Sequence, residues 1–168
     1  MKLLFFCPRW GSESLSWLDF CKKVKAAGYD GIEAGVSFDT ANKLDMQQAL
    51  HETDLLLIGQ YWQSFESDFD AHQLSYINHL DNIATLNPVK INTQTGKDYF
   101  SIAQNEVLFS IAEKFTAATG IEVVHETHRN KALFAAHVAK QYLQRNKPLR
   151  ITADFSHWCC VAESFLED

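Results

Sequence analysis

The stretch Ile121-Glu122-Val123-Val124-His125-Glu126-Thr127-His128-Arg129 opens as a short apolar, β-rich run and ends in a carboxylate set among histidines. A second stretch repeats the pattern: Leu149-Arg150-Ile151-Thr152-Ala153-Asp154-Phe155-Ser156-His157. Both read as buried strands, each followed by a helix-like segment. Two such units in succession bring acids and imidazoles to the carboxyl edge of a parallel sheet, which is where (β/α) folds place their chemistry.

The same alternation runs through the chain: a β-rich run, a polar turn, an amphipathic stretch, a Gly or Asn-Pro stop, then another β-rich run. The predicted strands are Lys2–Cys7, Gly31–Ala34, Leu55–Gln60, Val89–Asn92, Glu122–His125 and Arg150–Ala153. The first helix carries Leu15, Leu18, Val24 and Ala27 and stops at Gly28. The third, around Asp70–Leu86, ends at Asn87-Pro88, because proline cannot continue a helix. The fourth, around Ala103–Ala118, closes at Gly120, and the fifth, around Ala132–Gln144, runs into Arg145-Asn146-Lys147-Pro148. No linker or low-complexity segment interrupts the series, so residues 1–168 are expected to form a single domain.

The predicted class is α/β, an incomplete TIM-barrel type of about six parallel βα units. A closed barrel needs eight strands and typically about 250 residues. Either the sequence is truncated, or the six units form an open sheet, or the remaining strands come from another chain. Open edges predict edge-mediated association or a homo-oligomer.

Composition narrows the function classes. The 168 residues are 46% hydrophobic and 12% aromatic, which allows a real core, and no apolar run approaches the roughly 20 residues of a spanning helix. Met1–Cys7 looks superficially like a signal peptide, but Pro8, Arg9 and Trp10 cut it short and no small-residue cleavage site follows. No membrane association is expected. The formal net charge is -6, and the 15 Lys and Arg residues are scattered, so no nucleic-acid partner is expected either. Cys7, Cys21, Cys159 and Cys160 lack CxxC spacing, and a Cys159–Cys160 bridge would be strained. Buried free thiols in a reducing cytoplasm are the expectation.

Three short motifs carry a family resemblance: Gly28-Tyr29-Asp30-Gly31-Ile32-Glu33, His125-Glu126-Thr127-His128, and Asp154-Phe155-Ser156-His157. In order and strand position they resemble the xylose-isomerase-like TIM barrels, a group of sugar isomerases, ketose 3-epimerases, inosose dehydratases and endonuclease IV. The chain would be the first three quarters of such a barrel. The resemblance implies that Glu126 is both a metal ligand and the catalytic acid/base. It makes Asp154 the strand-six metal ligand, His157 a contact to substrate hydroxyls or a second metal, and Glu33 a substrate-facing acid. The family's remaining ligands lie on strands seven and eight, which this sequence lacks.

The residues support that chemistry on their own terms. A carboxylate-rich site with one or two histidines suits Mn²⁺ or Mg²⁺, with Zn²⁺ or Co²⁺ as further candidates. Such an ion polarises a sugar carbonyl and its neighbouring hydroxyl, while a tuned glutamate moves the proton. Two ligands alone make a weak site. Asn92, before Thr93-Gln94-Thr95-Gly96, could present polar groups to substrate or simply precede a turn. Arg129 and His128 lie beyond the strand, where they face an anionic substrate or only solvent. Among the strand-end aromatics Phe5, Trp10, Tyr61, Trp62, Phe155 and Trp158, Trp10 is a candidate for stacking a sugar ring. Strand alternation turns His125 away from Glu126, into a hydrogen-bonded packing role. His51, His72, His79 and His137 fall in helix-like stretches and are assigned no chemistry.

The resulting expectation is a cytoplasmic, divalent-metal-dependent sugar or sugar-phosphate isomerase or epimerase, moving a proton next to a carbonyl on a small sugar or polyol. Two alternatives stay open: an inosose-type dehydratase, which is a lyase, and a non-catalytic barrel fragment that binds a polyol or a partner chain. Full activity is not expected of a chain without strands seven and eight.

Overall fold

The computed structural model describes residues 2–167, which fold as one six-stranded parallel sheet in the order β1-β2-β3-β4-β5-β6. The strands are β1 (Phe6–Pro8), β2 (Gly31–Ala34), β3 (Leu56–Tyr61), β4 (Lys90–Thr93), β5 (Val123–Glu126) and β6 (Ile151–Thr152). Between and after them run α1 (Trp17–Ala26), α2 (Thr40–Thr53), α3 (Phe69–Ala84), α4 (Ile102–Thr119), α5 (Ala136–Arg145) and α6 (Phe155–Ala162). Every strand pairs with its sequence neighbour, and β1 and β6 form the two open edges.

Local chemistry explains most boundaries. Ser16, Asp39, Asp68 and Ser101 cap α1 to α4, each side chain accepting a backbone N–H three residues on, and Gln104 completes a capping box with Ser101. At the other end of α4, Gly120 takes the left-handed conformation, φ 76°, and turns the chain into β5. The main core lies between sheet and helices, around Ile32, Leu57, Ile91, Tyr76 and Leu108. A smaller cluster of Phe109, Leu133, Ala139 and Tyr142 seats α5.

Three elements differ from the sequence-based expectation. β1 is three residues rather than six, because its partner β2 begins only at Gly31, which pairs with Phe6. β6 is two residues long, since it has a neighbour on one side only and Asp154 already caps α6. α5 starts at Ala136 rather than at Ala132: the Ala132 N–H is taken by the Thr95 carbonyl at 3.0 Å, and the Leu133 carbonyl accepts from the Trp158 indole at 2.9 Å. The four cysteines are free, but only Cys21 is buried, and Cys160 is exposed. His72 is not an outer-layer residue either, for it is fully buried and packs edge-on against Phe100.

Candidate active site

Alternation along the parallel strands puts Glu33 (β2), Gln60 (β3), Asn92 (β4) and Glu126 (β5) on the lumen side at the carboxyl edge. One amide joins three of them. The Asn92 Nδ2 donates to Glu33 Oε1 at 2.8 Å and to Glu126 Oε2 at 3.1 Å. Glu126 is 5% exposed. Its carboxyl is pushed up to about 7, first by burial and then by the charge of Glu33, with Asp154 adding to the rise and hydrogen bonds from Asn92 and Gln94 opposing it. A carboxyl poised near neutrality can both take and return a proton at physiological pH.

Beyond Glu126 the chain turns into a loop whose residues are held to β6. The Thr127 hydroxyl donates to the Asp154 carbonyl at 2.9 Å and accepts from the Asp154 N–H at 2.7 Å, locking the ends of β5 and β6 together. This brings His128 over His157, with ring centroids 3.7 Å apart. Ligand atoms of Glu126, His128 and His157 lie within 4.8 Å of one another. Both imidazoles are held below their ordinary range, chiefly by burial, and are therefore neutral near pH 7, the form that binds metal. His128 Nδ1 lies 2.6 Å from the Arg129 carbonyl, which fixes the Nδ1–H tautomer and leaves Nε2 free to coordinate.

Asp154 stands one step back from this trio. Its Oδ1 accepts from the Ser156 N–H at 2.9 Å and from the Ser156 hydroxyl at 2.5 Å, capping α6, while Oδ2 faces His157 Nε2 at 3.7 Å. Burial raises its carboxyl, but the Ser156 hydrogen bonds and His157 outweigh that and hold it below the usual carboxylate range. Oδ2 carries neither Ser156 contact, so Asp154 can offer that oxygen to an ion while Oδ1 keeps its hold on Ser156. In the observed arrangement Oδ1 caps α6 and Oδ2 lies beside His157.

The remaining sequence candidates fall in two places. Trp10 lines a cavity of about 710 Å³ together with Gln60, Trp62, Gln63, Gln94 and His128. Arg129 is exposed and lies outside that lining. His125 turns to the helix layer, where it meets Phe109 edge-on at 4.8 Å and bonds Thr95 Oγ1 at 2.7 Å. Sequence reasoning gave Gln60 and Thr127 no role, and named Gln94 only within the segment after Asn92. Gln60 carried a readable signal, as the one polar side chain in the run Leu55-Leu56-Leu57-Ile58-Gly59-Gln60.

No protein-family model matches the chain, and no curated protein matches it. Solved structures do. A xylose isomerase domain containing protein from Salmonella typhimurium aligns with 99% of this chain at a TM-score of 0.73 and 14% identity. A xylose isomerase-like TIM barrel protein from Mycobacterium smegmatis, in complex with magnesium, aligns with 92% at a TM-score of 0.67 and 10% identity. The probable 3-DHS dehydratase AsbF, involved in petrobactin synthesis in Bacillus anthracis, aligns with 92% at a TM-score of 0.64 and 20% identity. The chain spans 67%, 65% and 64% of these three structures respectively. It therefore has the fold of the xylose-isomerase-like TIM barrels, in the form of six consecutive βα units of an open barrel.

Proposed function

We propose that the chain carries the site of a divalent-metal-dependent isomerase or epimerase acting on a sugar or polyol by proton transfer next to a carbonyl. The observation that carries this reading is Glu126: a buried carboxyl near pKa 7, bonded to Asn92, beside two neutral imidazoles at ligand spacing. Two nitrogens and one carboxylate oxygen suit Mn²⁺, Co²⁺ or Zn²⁺ better than Mg²⁺, which prefers oxygen donors. Glu126, His128 and His157 would hold the ion, and Asp154 would orient His157. When bound, the ion supplies polarisation of the substrate carbonyl and its neighbouring hydroxyl.

The side chains do the rest. Glu126 takes the proton from the carbon beside the carbonyl as the electron pair moves to the carbonyl oxygen. Return of a proton to the former carbonyl carbon, while the neighbouring hydroxyl passes its proton to the former carbonyl oxygen and becomes the new carbonyl, interconverts aldose and ketose. Return to the opposite face of the original carbon inverts it and needs a second acid, a role open to Glu33 on the same Asn92 amide. A lyase uses the same first step and then expels a hydroxyl β to the carbonyl as water; the likeness to a probable dehydratase keeps this second reading. The edges belong to the proposal too: β1 and β6 expose unpaired backbone groups, and association through them is expected.

Exchange in D₂O tests the chemistry. With Mn²⁺ present, a panel of ketopentoses and ketohexoses should include one that exchanges a carbon-bound hydrogen for deuterium by NMR, and Glu126→Gln should stop it. Elimination would instead yield an absorbing unsaturated carbonyl. Binding without either change supports the non-catalytic alternative. Sedimentation at micromolar concentration reads the edges, where a strictly monomeric species would show that the chain covers them itself.

A further inference from the structure

We propose that the cavity that His128 shares with the candidate metal trio takes an uncharged glycoside, one sugar ring at the Gln94–His128 end and a second stacked on Trp10 and Trp62. The inference rests on the sugar chemistry proposed for the same site and narrows it. Size is the first argument. Pockets for drug-sized ligands fall roughly between 300 and 1,000 Å³. At about 710 Å³ this cavity has room for more than one pyranose ring.

The walls give the second argument. Trp10 is 60% exposed after β1 and Trp62 is 43% exposed after β3, so neither indole is consumed by the core. Trp62 is nonetheless held in place. Its ring stands edge-on to Phe65 at 5.6 Å, and its Nε1 approaches Gly35, where a Cβ would lie 3.2 Å from Nε1 and 3.3 Å from Gln63 Nε2. A glycine at position 35 thus lets the indole and an amide lie close over the backbone between β2 and α2. Aromatic faces fixed beside amides are what a sugar ring needs: its C–H face stacks while its hydroxyls exchange hydrogen bonds. Gln60, Gln63, Gln94 and Asn42 supply those amides.

Charge gives the third. A dianionic sugar phosphate is held best where several cations or backbone N–H groups converge, and among the described residues Arg9 is the one arginine or lysine on the cavity wall. Its guanidinium donates through Nη2 to the Leu15 carbonyl at 2.6 Å and lies over Trp17 at 4.4 Å and Phe20 at 4.6 Å, while Nη1 is buried with no partner among the described residues. Glu13 lines the same wall and repels a dianion further. The lining fits hydroxyls and rings, not phosphate.

Calorimetry on the full chain tests this with four probes: D-glucose, D-glucose 6-phosphate, cellobiose and maltose. At least one disaccharide should bind more tightly than glucose, and glucose 6-phosphate more weakly than glucose. Trp62→Ala should cut the disaccharide affinity roughly three- to tenfold, the worth of one aromatic stacking contact, and shrink the advantage of the disaccharide over glucose. Because Trp62 is half-exposed, the variant should keep its melting temperature; Trp10→Ala serves as a second reading of the same subsite. Equal binding of glucose and both disaccharides, a preference for the phosphate, no measurable disaccharide binding, or an advantage that survives both substitutions would overturn the inference. Those results would leave Mn²⁺ binding through Glu126 standing, so the two readings fail separately.

Discussion

β4 and β5 carry two polar rows, on opposite faces, that look alike in sequence and differ in what they have left over. On the helix side, Thr93 Oγ1 donates to the Val124 carbonyl at 2.9 Å and lies 2.7 Å from Thr95 Oγ1, which in turn meets His125 Nδ1 at 2.7 Å. On the lumen side, Asn92 holds two carboxylates with one nitrogen, its own Oδ1 is buried without a protein partner, and Glu126 is driven up to about 7. Both rows are buried. The helix-side row ties its hydroxyls and His125 Nδ1 together by hydrogen bonds and contributes to folding, whereas the lumen row keeps the desolvated Glu126 beside a second carboxylate, Glu33, a cost that folding alone does not explain.

The sharpest way to break this contrast is Glu126→Gln. Loss of the acid/base and of the one carboxylate in the trio should lower turnover by about 10²- to 10⁴-fold and abolish the rise in melting temperature that Mn²⁺ produces in the wild type. The same substitution removes a buried like-charge contact with Glu33, so the metal-free protein should melt no lower than wild type. A large loss of metal-free stability would mean that the lumen row is structural after all.

His125→Ala should do the reverse. The imidazole is 3% exposed and packed on Phe109, and its removal leaves a cavity and two hydroxyls short of a partner, costing about 3 kcal/mol in urea unfolding. The Mn²⁺ shift should persist in this variant. If it vanishes, the two rows are coupled rather than separate.

The sequence made the architecture legible because every strand pairs with its neighbour in chain order, so reading the alternation was also reading the sheet. Period-two alternation likewise separated His125 from Glu126. What it could not supply was the loop geometry. His128 joins His157 because Thr127 locks β5 to β6, and that contact spans 27 residues. Asp154 reads as a ligand in the linear motif, and the fold adds a role that the motif does not declare, with Ser156 on its Oδ1 as the cap of α6. The half-bare Trp62 also needed the fold, since its significance comes from Gly35, in the loop after β2.

A smaller effect sharpens the comparison with a third buried polar group. His72, fully buried on α3, places Nδ1 3.3 Å from the Glu66 carbonyl and 3.9 Å from its carboxylate, and Nε2 has no protein partner. Burial holds its pKa below the ordinary imidazole value; the Glu66 carbonyl and charge oppose that, and Lys97 and Lys131 reinforce it. Because the folded value is lowered, the unfolded chain binds more protons between the two values. The contribution of His72 is therefore complete above about pH 6.5 and is lost as pH falls toward the folded value, with a slope of at most about 1.4 kcal/mol per pH unit. His125, pushed down to about 3, acts in the same direction, so the reading must be a difference between proteins. Urea unfolding of wild type and His72→Gln from pH 7 down to pH 5 provides it: the gap between them should narrow on acidification, and a gap independent of pH would show that His72 titrates alike in the folded and unfolded states.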